Sequence, residues 1–464
     1  QSPIVFIQQL GRGLRKAEDK EYVVILDFIG NYKNNFMIPI ALSGDRSYNK
    51  DNVRRYIMEG SRIIPGNSTI HFDEISKKQI YQAIDAANFS DLKLIKENYF
   101  NLKNKLGRIP KLAEFDQYGE MDACRIFDNS NLGSYYKFLV KYEKEYTVRL
   151  NDKEEKIIEF ISKKIANGKR IHELELLSLM IEYRYGLIGR LQIILKDESI
   201  QNIINIMTNE FPTGSGKKTY KECILMEQEE DQQIFEKQQT DHMYKKMEAR
   251  AIAYSQNWIS RHKEYSVGKS FEKALGNIEF TNLLEDLIQF GKSRYERDYS
   301  DRYQDTDLVL YQKYTYEDVC RLLNWENSEV PLNIGGYKFD KKTKTFPVFI
   351  NYDKADNISD TTKYEDHFVN QNQLIAISKS GRSLGSEDVQ NFLHAKERGI
   401  DVQLFVRKNK DDKISKEFYY LGRMTATGQA QEFIMPNTEK TAVEILWTLD
   451  VPVREDLYEY ITSE

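Results

Sequence analysis

Arg12 and Arg15 are the residues whose type and spacing most readily do chemistry, within Gln8-Gln9-Leu10-Gly11-Arg12-Gly13-Leu14-Arg15. Helix residues three apart lie one above the other, so both guanidiniums share a face, and the planar guanidinium fork suits phosphate oxygens. Gly11 and Gly13 each cost a helix about 1 kcal/mol relative to Ala, which points to a surface that another body approaches closely. A second grouping is Ile377-Ser378-Lys379-Ser380-Gly381-Arg382-Ser383. It follows an expected strand and precedes an expected helix. Its Ser and Gly amides, with Lys379 and Arg382, form a candidate anion-binding loop.

Two other strings fail on their own chemistry. Thr213-Gly-Ser-Gly-Lys-Lys-Thr219 invites the phosphate-loop pattern G-x-x-x-x-G-K-[ST]. Phe211 stands where the first Gly belongs, however, and Lys218 where Ser or Thr must meet Mg²⁺. Ile203-Ile-Asn-Ile-Met207 before it reads as helix, so the string is a basic loop. Glu365, Asp366 and His367 are consecutive, and consecutive strand residues point to opposite faces. No metal is assigned.

The elements that must position these groups follow from patterning. Ser2 as N-cap and Pro3 at the first helical position open a helix carrying Arg12 and Arg15. Tyr22-Val-Val-Ile-Leu-Asp27-Phe28-Ile29 reads as a buried, parallel strand. Helix then strand would be the closing unit of an α/β domain. Residues 46–70 read as an irregular connector, and 73–302 as mostly helical. The charged, Gln-rich stretch 224–263 reads as a solvated helix or arm. From about Tyr316, strands are expected at 347–352, 374–378, 402–406, 418–421 and 442–447. A Ser386-capped helix ending near Gly399 falls among them.

Composition bounds the rest. The chain has 464 residues, and 67 Lys+Arg against 72 Asp+Glu give a net charge of −5, which argues against a diffuse polybasic coat. At roughly 150 residues per domain this suggests about three domains. Three scattered Cys, at 124, 223 and 320, make neither a disulfide framework nor a zinc cluster, and a cytoplasmic setting fits them. No run of 18 apolar residues exists, so no membrane partner is expected, and the first residues lack the pattern of a signal peptide.

The pattern Q-x-x-G-R-x-x-R closely resembles motif VI of superfamily-2 (DEAD/DEAH-type) helicases, in the second of their two RecA-like lobes. That resemblance implies that Arg12 and Arg15 are arginine fingers on the ATP γ-phosphate. Gln8 and Gly11 would complete the nucleotide-facing surface. It also implies a preceding lobe with a phosphate-binding loop and an acidic Mg²⁺ box, for which this chain has no room. ATP and Mg²⁺ are therefore expected in a full-length protein, and none on this chain alone. Leu106-Gly-Arg-Ile-Pro110 through Gly133-Ser-Tyr-Tyr-Lys-Phe-Leu139 resembles small helical repeats found beside helicases and homing endonucleases. It makes Arg108, Lys111 and Lys137 candidate DNA-phosphate contacts, which position without specifying. Residues 311–464 resemble the uncharacterised domain ending many bacterial helicases fused to phospholipase-D-like nucleases. The resemblance runs through Trp325, Gly335-Gly336-Tyr337, Phe346 to Lys354, Tyr364 to Phe368, Ser378 to Arg382 and Phe418 to Gly422. Lys379 and Arg382 would hold phosphate there, with Tyr337, Tyr352 or Tyr364 stacking. His394, Lys396 and Asp401 fit the nuclease string H-x-K-x-x-x-x-D, but on a helix the first two face apart.

The expected fold is α+β and multidomain. It comprises a RecA-like remnant (1–45), a connector (46–72), a helical helicase-associated module (73–150), a helical region (151–310) and a C-terminal α+β domain (311–464). That last domain should carry a mostly antiparallel sheet or partial barrel. The expected function is the C-terminal portion of an ATP-dependent helicase or translocase. It would act on nucleic acid, DNA more than RNA, alongside a nuclease and in restriction or phage defence. The alternative is a module that binds nucleic acid or a protein without activity of its own.

Overall fold

The computed structural model describes residues 10–12, 24–26, 38–39, 42, 50–59, 72–86, 91–119, 121–184, 186–194, 197–208, 224–227, 265–329, 334–353, 366–409, 416–435 and 439–462. Leu10, Gly11 and Arg12 are helical, whereas Gln8, Gly13 and Arg15 lie outside the described residues. The strand expected over 22–29 is described only at Val24, Ile25 and Leu26. Among the described residues these pair with no other strand and are exposed, Leu26 by 78%. A buried parallel strand needs neighbours and covered faces, and no RecA-like unit is seen among the described residues.

Where a connector is expected, α1 (Lys50–Glu59) forms, followed by α2 (Glu74–Ala86). Val53, Ile57, Ile80, Tyr81 and Ile84 recur at helical spacing and are buried with the C-terminal sheet. The charged residues between them hide this short apolar stripe.

A helical body follows: α3 (Leu92–Leu106), α4 (Leu112–Tyr118), α5 (Cys124–Asp128), α6 (Tyr135–Tyr142), α7 (Asp152–Lys164), α8 (His172–Glu182), α9 (Leu187–Ile194) and α10 (Asp197–Met207). Local chemistry sets its boundaries. Gly107, at φ +71°, ends α3 in the left-handed conformation. Asn151 caps α7 by accepting from the amides of Lys153 and Glu154, and Glu154 closes the capping box. In the charged stretch, β1 (Leu225–Glu227) pairs antiparallel with β2 (Tyr265–Val267), so its described part is strand, not helix. Next come α11 (Lys269–Leu275) and α12 (Ile278–Arg294). Ile157, Ile161, Leu174 and Leu177 share one core with Phe280, Leu284 and Leu287 of α12.

The remainder comprises β3 (Lys313–Tyr314), α13 (Tyr316–Leu322), β4 (Thr345–Asp353), β5 (His367–Asn370), β6 (Gln373–Ile377), α14 (Glu387–Leu393), α15 (Ala395–Arg398), β7 (Asp401–Asn409), β8 (Phe418–Ile434), β9 (Thr441–Leu449) and α16 (Glu455–Thr462). The strand order is β4-β7-β8-β9-β6-β5, with β3 on β8. The β4–β7 pair is parallel and the other pairs antiparallel. The sheet is thus mixed, and it curls into a half-barrel. Register shifts between Gln403 and Phe405 and between Ala426 and Ala430 supply local twist.

Buried ions fasten the helical body to this sheet. Arg170 and Glu173 have side chains 1% and 0% exposed. Arg170 also donates to the Arg321 carbonyl, Asn324 and Asn202. Beside it, the Lys169 ammonium lies 2.7 Å from Asp318 and 2.8 Å from Glu417. Burial alone would raise the Glu173 carboxyl, but Arg170 and Arg321 outweigh it and hold it at about 2. Removing one partner of such a pair strands the other charge. Glu173→Leu should therefore lower the unfolding free energy by about 3–5 kcal/mol in a urea titration. A loss below about 1 kcal/mol would mean Arg170 is solvated some other way.

Candidate anion-binding site at the sheet seam

One end of the strand order, β4, faces the end of β6 across a cleft of about 310 Å³. One wall is β4 at Val348–Asn351, and the other runs from Ala376 of β6 to Lys379, with Asp366 beside it and Gly335–Tyr337 across the mouth. Gly335 and Gly336 have φ of +51° and +96°, a conformation costly for side chains with a Cβ. That turn lets the Gly336 carbonyl accept from the Phe349 amide at 2.6 Å, so Tyr337 bridges to Val348. Opposite, the Ile377 amide donates to Asp366 Oδ1 at 2.8 Å.

The expected loop of free amides is not what forms. The Ser378 amide donates to Val443, Lys379 to the Tyr337 hydroxyl, Gly381 to Thr441 and Ser383 to Ser386 Oγ. The chain needs these donors to fasten the segment to β9 and α14, so they are spent internally. The following α14 is a seven-residue helix, too short to build up an appreciable dipole.

Lys379 and Arg382 do come together, but in different states. Arg382 Nε lies 2.6 Å from Asp388 Oδ2, and the Tyr337 hydroxyl donates to the same oxygen at 2.8 Å. Arg382 is therefore committed. The Lys379 ammonium instead sits 4.6 Å from the centre of the Tyr337 ring, and no carboxylate pairs with it among the described residues. Burial, then the Arg382 charge, hold it below the ordinary lysine value. Among the described residues, the cleft thus holds one half-buried cation with no carboxylate partner.

The tyrosines expected to stack are used elsewhere. Tyr337 is 6% exposed, edge-on to Phe346 and Phe392. Tyr352 lies on Phe368 with centroids 5.8 Å apart, and Tyr364 lies outside the described residues. Aromatic burial in the sheet core outcompetes a solvent-facing platform.

In the helical body, Arg108 makes a two-pronged pair with Glu114, whose carboxylate also accepts from the Lys111 amide. The Lys111 side chain is exposed, and Lys137 lies half-buried on α6. None of these three shares a hydrogen bond or ion pair with Lys379 or Arg382. His394 sits at the break between α14 and α15 and pairs with Glu397, Lys396 is exposed, and Asp401 is engaged by Gln403 and Arg423. The string 213–219 lies outside the described residues, as do Gln8 and Arg15. Among the described residues no group of three or more His, Cys, Asp or Glu could hold a metal. Nor is any helix among them long and apolar enough to cross a membrane. Asp388 is the partner the sequence reading missed. It stands six residues from Arg382, a spacing with no helical or strand rule behind it.

The architecture is a curled mixed α+β half-barrel with a helical body fastened to it. Residues 308–461 match the family model described as "Domain of unknown function (DUF3427)", a domain known from helicase-associated proteins. Residues 95–250, the helical body, match a second, "Domain of unknown function (DUF8090)". No curated protein matches the chain.

Asp388 gives a pH test of this site. Burial would raise its carboxyl, but the bonds from Arg382 and Tyr337 hold it below its ordinary value. A depressed folded pKa contributes stability above the unfolded value, about 3.9, and loses it as pH falls through the folded pKa. Asp388→Asn should therefore be less stable than wild type at pH 6, with the difference shrinking below about pH 4 in a series of thermal melts.

Proposed function

We propose that this chain is the C-terminal part of a superfamily-2-type helicase or translocase polypeptide and that its half-barrel grips nucleic-acid phosphate. The observation that carries the reading is Lys379, whose ammonium at the seam cleft has no carboxylate partner among the described residues. The match of residues 308–461 to a domain known from helicase-associated proteins supports the context. The grip is electrostatic. A lysine point charge holds a phosphate oxygen without reading a base, and the committed tyrosines agree with recognition of backbone over sequence.

In the motor, ATP with Mg²⁺ would supply the phosphoryl group whose cleavage drives movement. Arg12 is exposed on its helical turn and pairs with no acid among the described residues, which fits a finger delivered to another lobe. Its guanidinium, with that of Arg15, would neutralise charge developing on the phosphate oxygens.

Two measurements test this reading. Lys379→Glu should weaken binding of a DNA oligonucleotide at least tenfold in fluorescence anisotropy. Lys379→Ala should reduce the slope of log affinity against log salt by about 1, the loss of one phosphate contact. Affinity indifferent to Lys379 would remove the cleft from the interface. In a polypeptide carrying both lobes, Arg12→Ala should cut DNA-stimulated ATP turnover about 10³-fold, and unchanged turnover would end the finger assignment.

A further inference from the structure

The seam cleft differs from a groove that tracks a strand. Such a groove uses a row of cations and exposed rings on which successive bases lie. Among the described residues the lining contains one ammonium with no carboxylate partner, along with the Asp366 carboxylate, and its aromatic neighbours are packed inward. Beneath the opening, Val348, Ile350 and Ala376 belong to the buried core of the sheet, so the cleft has a floor. At about 310 Å³ it lies at the small end of ligand sites, which span about 300–1,000 Å³. That is room for one compact unit, not for a duplex or a run of nucleotides.

The β4 edge adds a donor. The Phe349 amide points away from the β7 ladder, toward Gly336. Strand geometry repeats every two residues, so the Asn351 amide points to the same outer side, where the cleft lies. Two donors of different kind, an ammonium and a backbone amide, therefore flank one small space. The fixed Arg382 guanidinium, though paired to Asp388, adds positive field close by. Burial and Arg382 disfavour the Lys379 charge, a cost that an arriving dianion relieves.

We infer that this cleft receives a single phosphomonoester-bearing unit of nucleotide size, with its phosphate on the Lys379 ammonium. The unit is the 5′-phosphorylated end of a strand or a free nucleotide. The inference rests on the nucleic-acid reading and deepens it. A strand end fits a floored cleft because only one side of the phosphate continues into chain. A monoester also brings more negative charge than an internal diester to the same ammonium.

The test uses the whole chain, wild type and Lys379→Gln, with Lys379→Arg as the charge-retaining control. The probes are a fluorescent single-stranded oligonucleotide with a 5′-phosphate, the same strand with a 5′-hydroxyl, and a deoxynucleoside 5′-monophosphate as competitor. The expected result is at least tenfold tighter binding of the phosphorylated strand. That preference should vanish in Lys379→Gln and persist in Lys379→Arg, and the monophosphate should compete it away. Lys379-dependent binding of the monophosphate with no strand binding would identify the free nucleotide as the source. Equal, Lys379-dependent binding of both strands would overturn the end-binding inference and leave the phosphate grip standing. A preference that survives Lys379→Gln would place the end-binding site elsewhere. No binding of any probe would remove both the inference and the reading beneath it.

Discussion

The Arg170 guanidinium is the constraint on which the two halves of the molecule depend. A guanidinium carries five N–H donors, and here every one is used. Glu173 takes two, and Asn202, Asn324 and the Arg321 carbonyl take one each. Asn202 lies in the helical body, and Arg321 and Asn324 lie in the segment that leads into the sheet. A buried ion pair is not by itself a source of stability, because desolvation offsets its attraction. Its effect is specificity of arrangement. Any relative shift of body and sheet leaves a buried charge without its partners, and that cost holds the docking in one geometry.

From that junction the order passes directly to the seam. Trp325 follows Asn324, accepts from Asn202 through its carbonyl and donates its indole N–H to Thr345 Oγ1 at 2.7 Å. Thr345 opens β4, and β4 is the wall of the cleft. The parallel pairing of β4 with β7 fixes one side of the strand, and on its outer edge the segment from Gly336 to Asp340 bridges to Val348 and Thr345, while the stretch from Val348 to Asn351 also lines the cleft. The cleft thus lies where β4 and the end of β6 come together with no β4–β6 ladder among the described residues.

Within the cleft, selectivity comes from what has already been spent. The tight accounting of amides and aromatic rings leaves Lys379 as a cation with no counter-charge among the described residues, next to one that has one. The same accounting makes the surface argument modest elsewhere. Arg108, which looks like a phosphate contact in one dimension, is held by Glu114.

Much of the fold was legible in the residues themselves. The helical period over 73–302 announces the helices of the body, and the short apolar runs after Tyr316 the strands of the sheet. These are local signals, set by side-chain periodicity and capping within a few residues. The connector reading failed at α1 because only Val53, Tyr56 and Ile57 mark its apolar buried face, and much of what they bury against is far along the chain. Of the strand read over 22–29 only Val24–Leu26 are described, exposed and without a strand partner among the described residues, and apolar residues make a buried strand only where neighbours pair with them. The sequence alone determined the mostly helical character of 73–302 and the short strands after Tyr316, and that Lys379 and Arg382 would be neighbours. Only the tertiary structure decided that Arg382 pairs with Asp388 and Lys379 does not. It also decided that Tyr337 faces the core and that β4 and the end of β6 meet in a cleft. Those outcomes depend on groups tens to hundreds of residues apart competing for the same hydrogen bonds and the same buried volume.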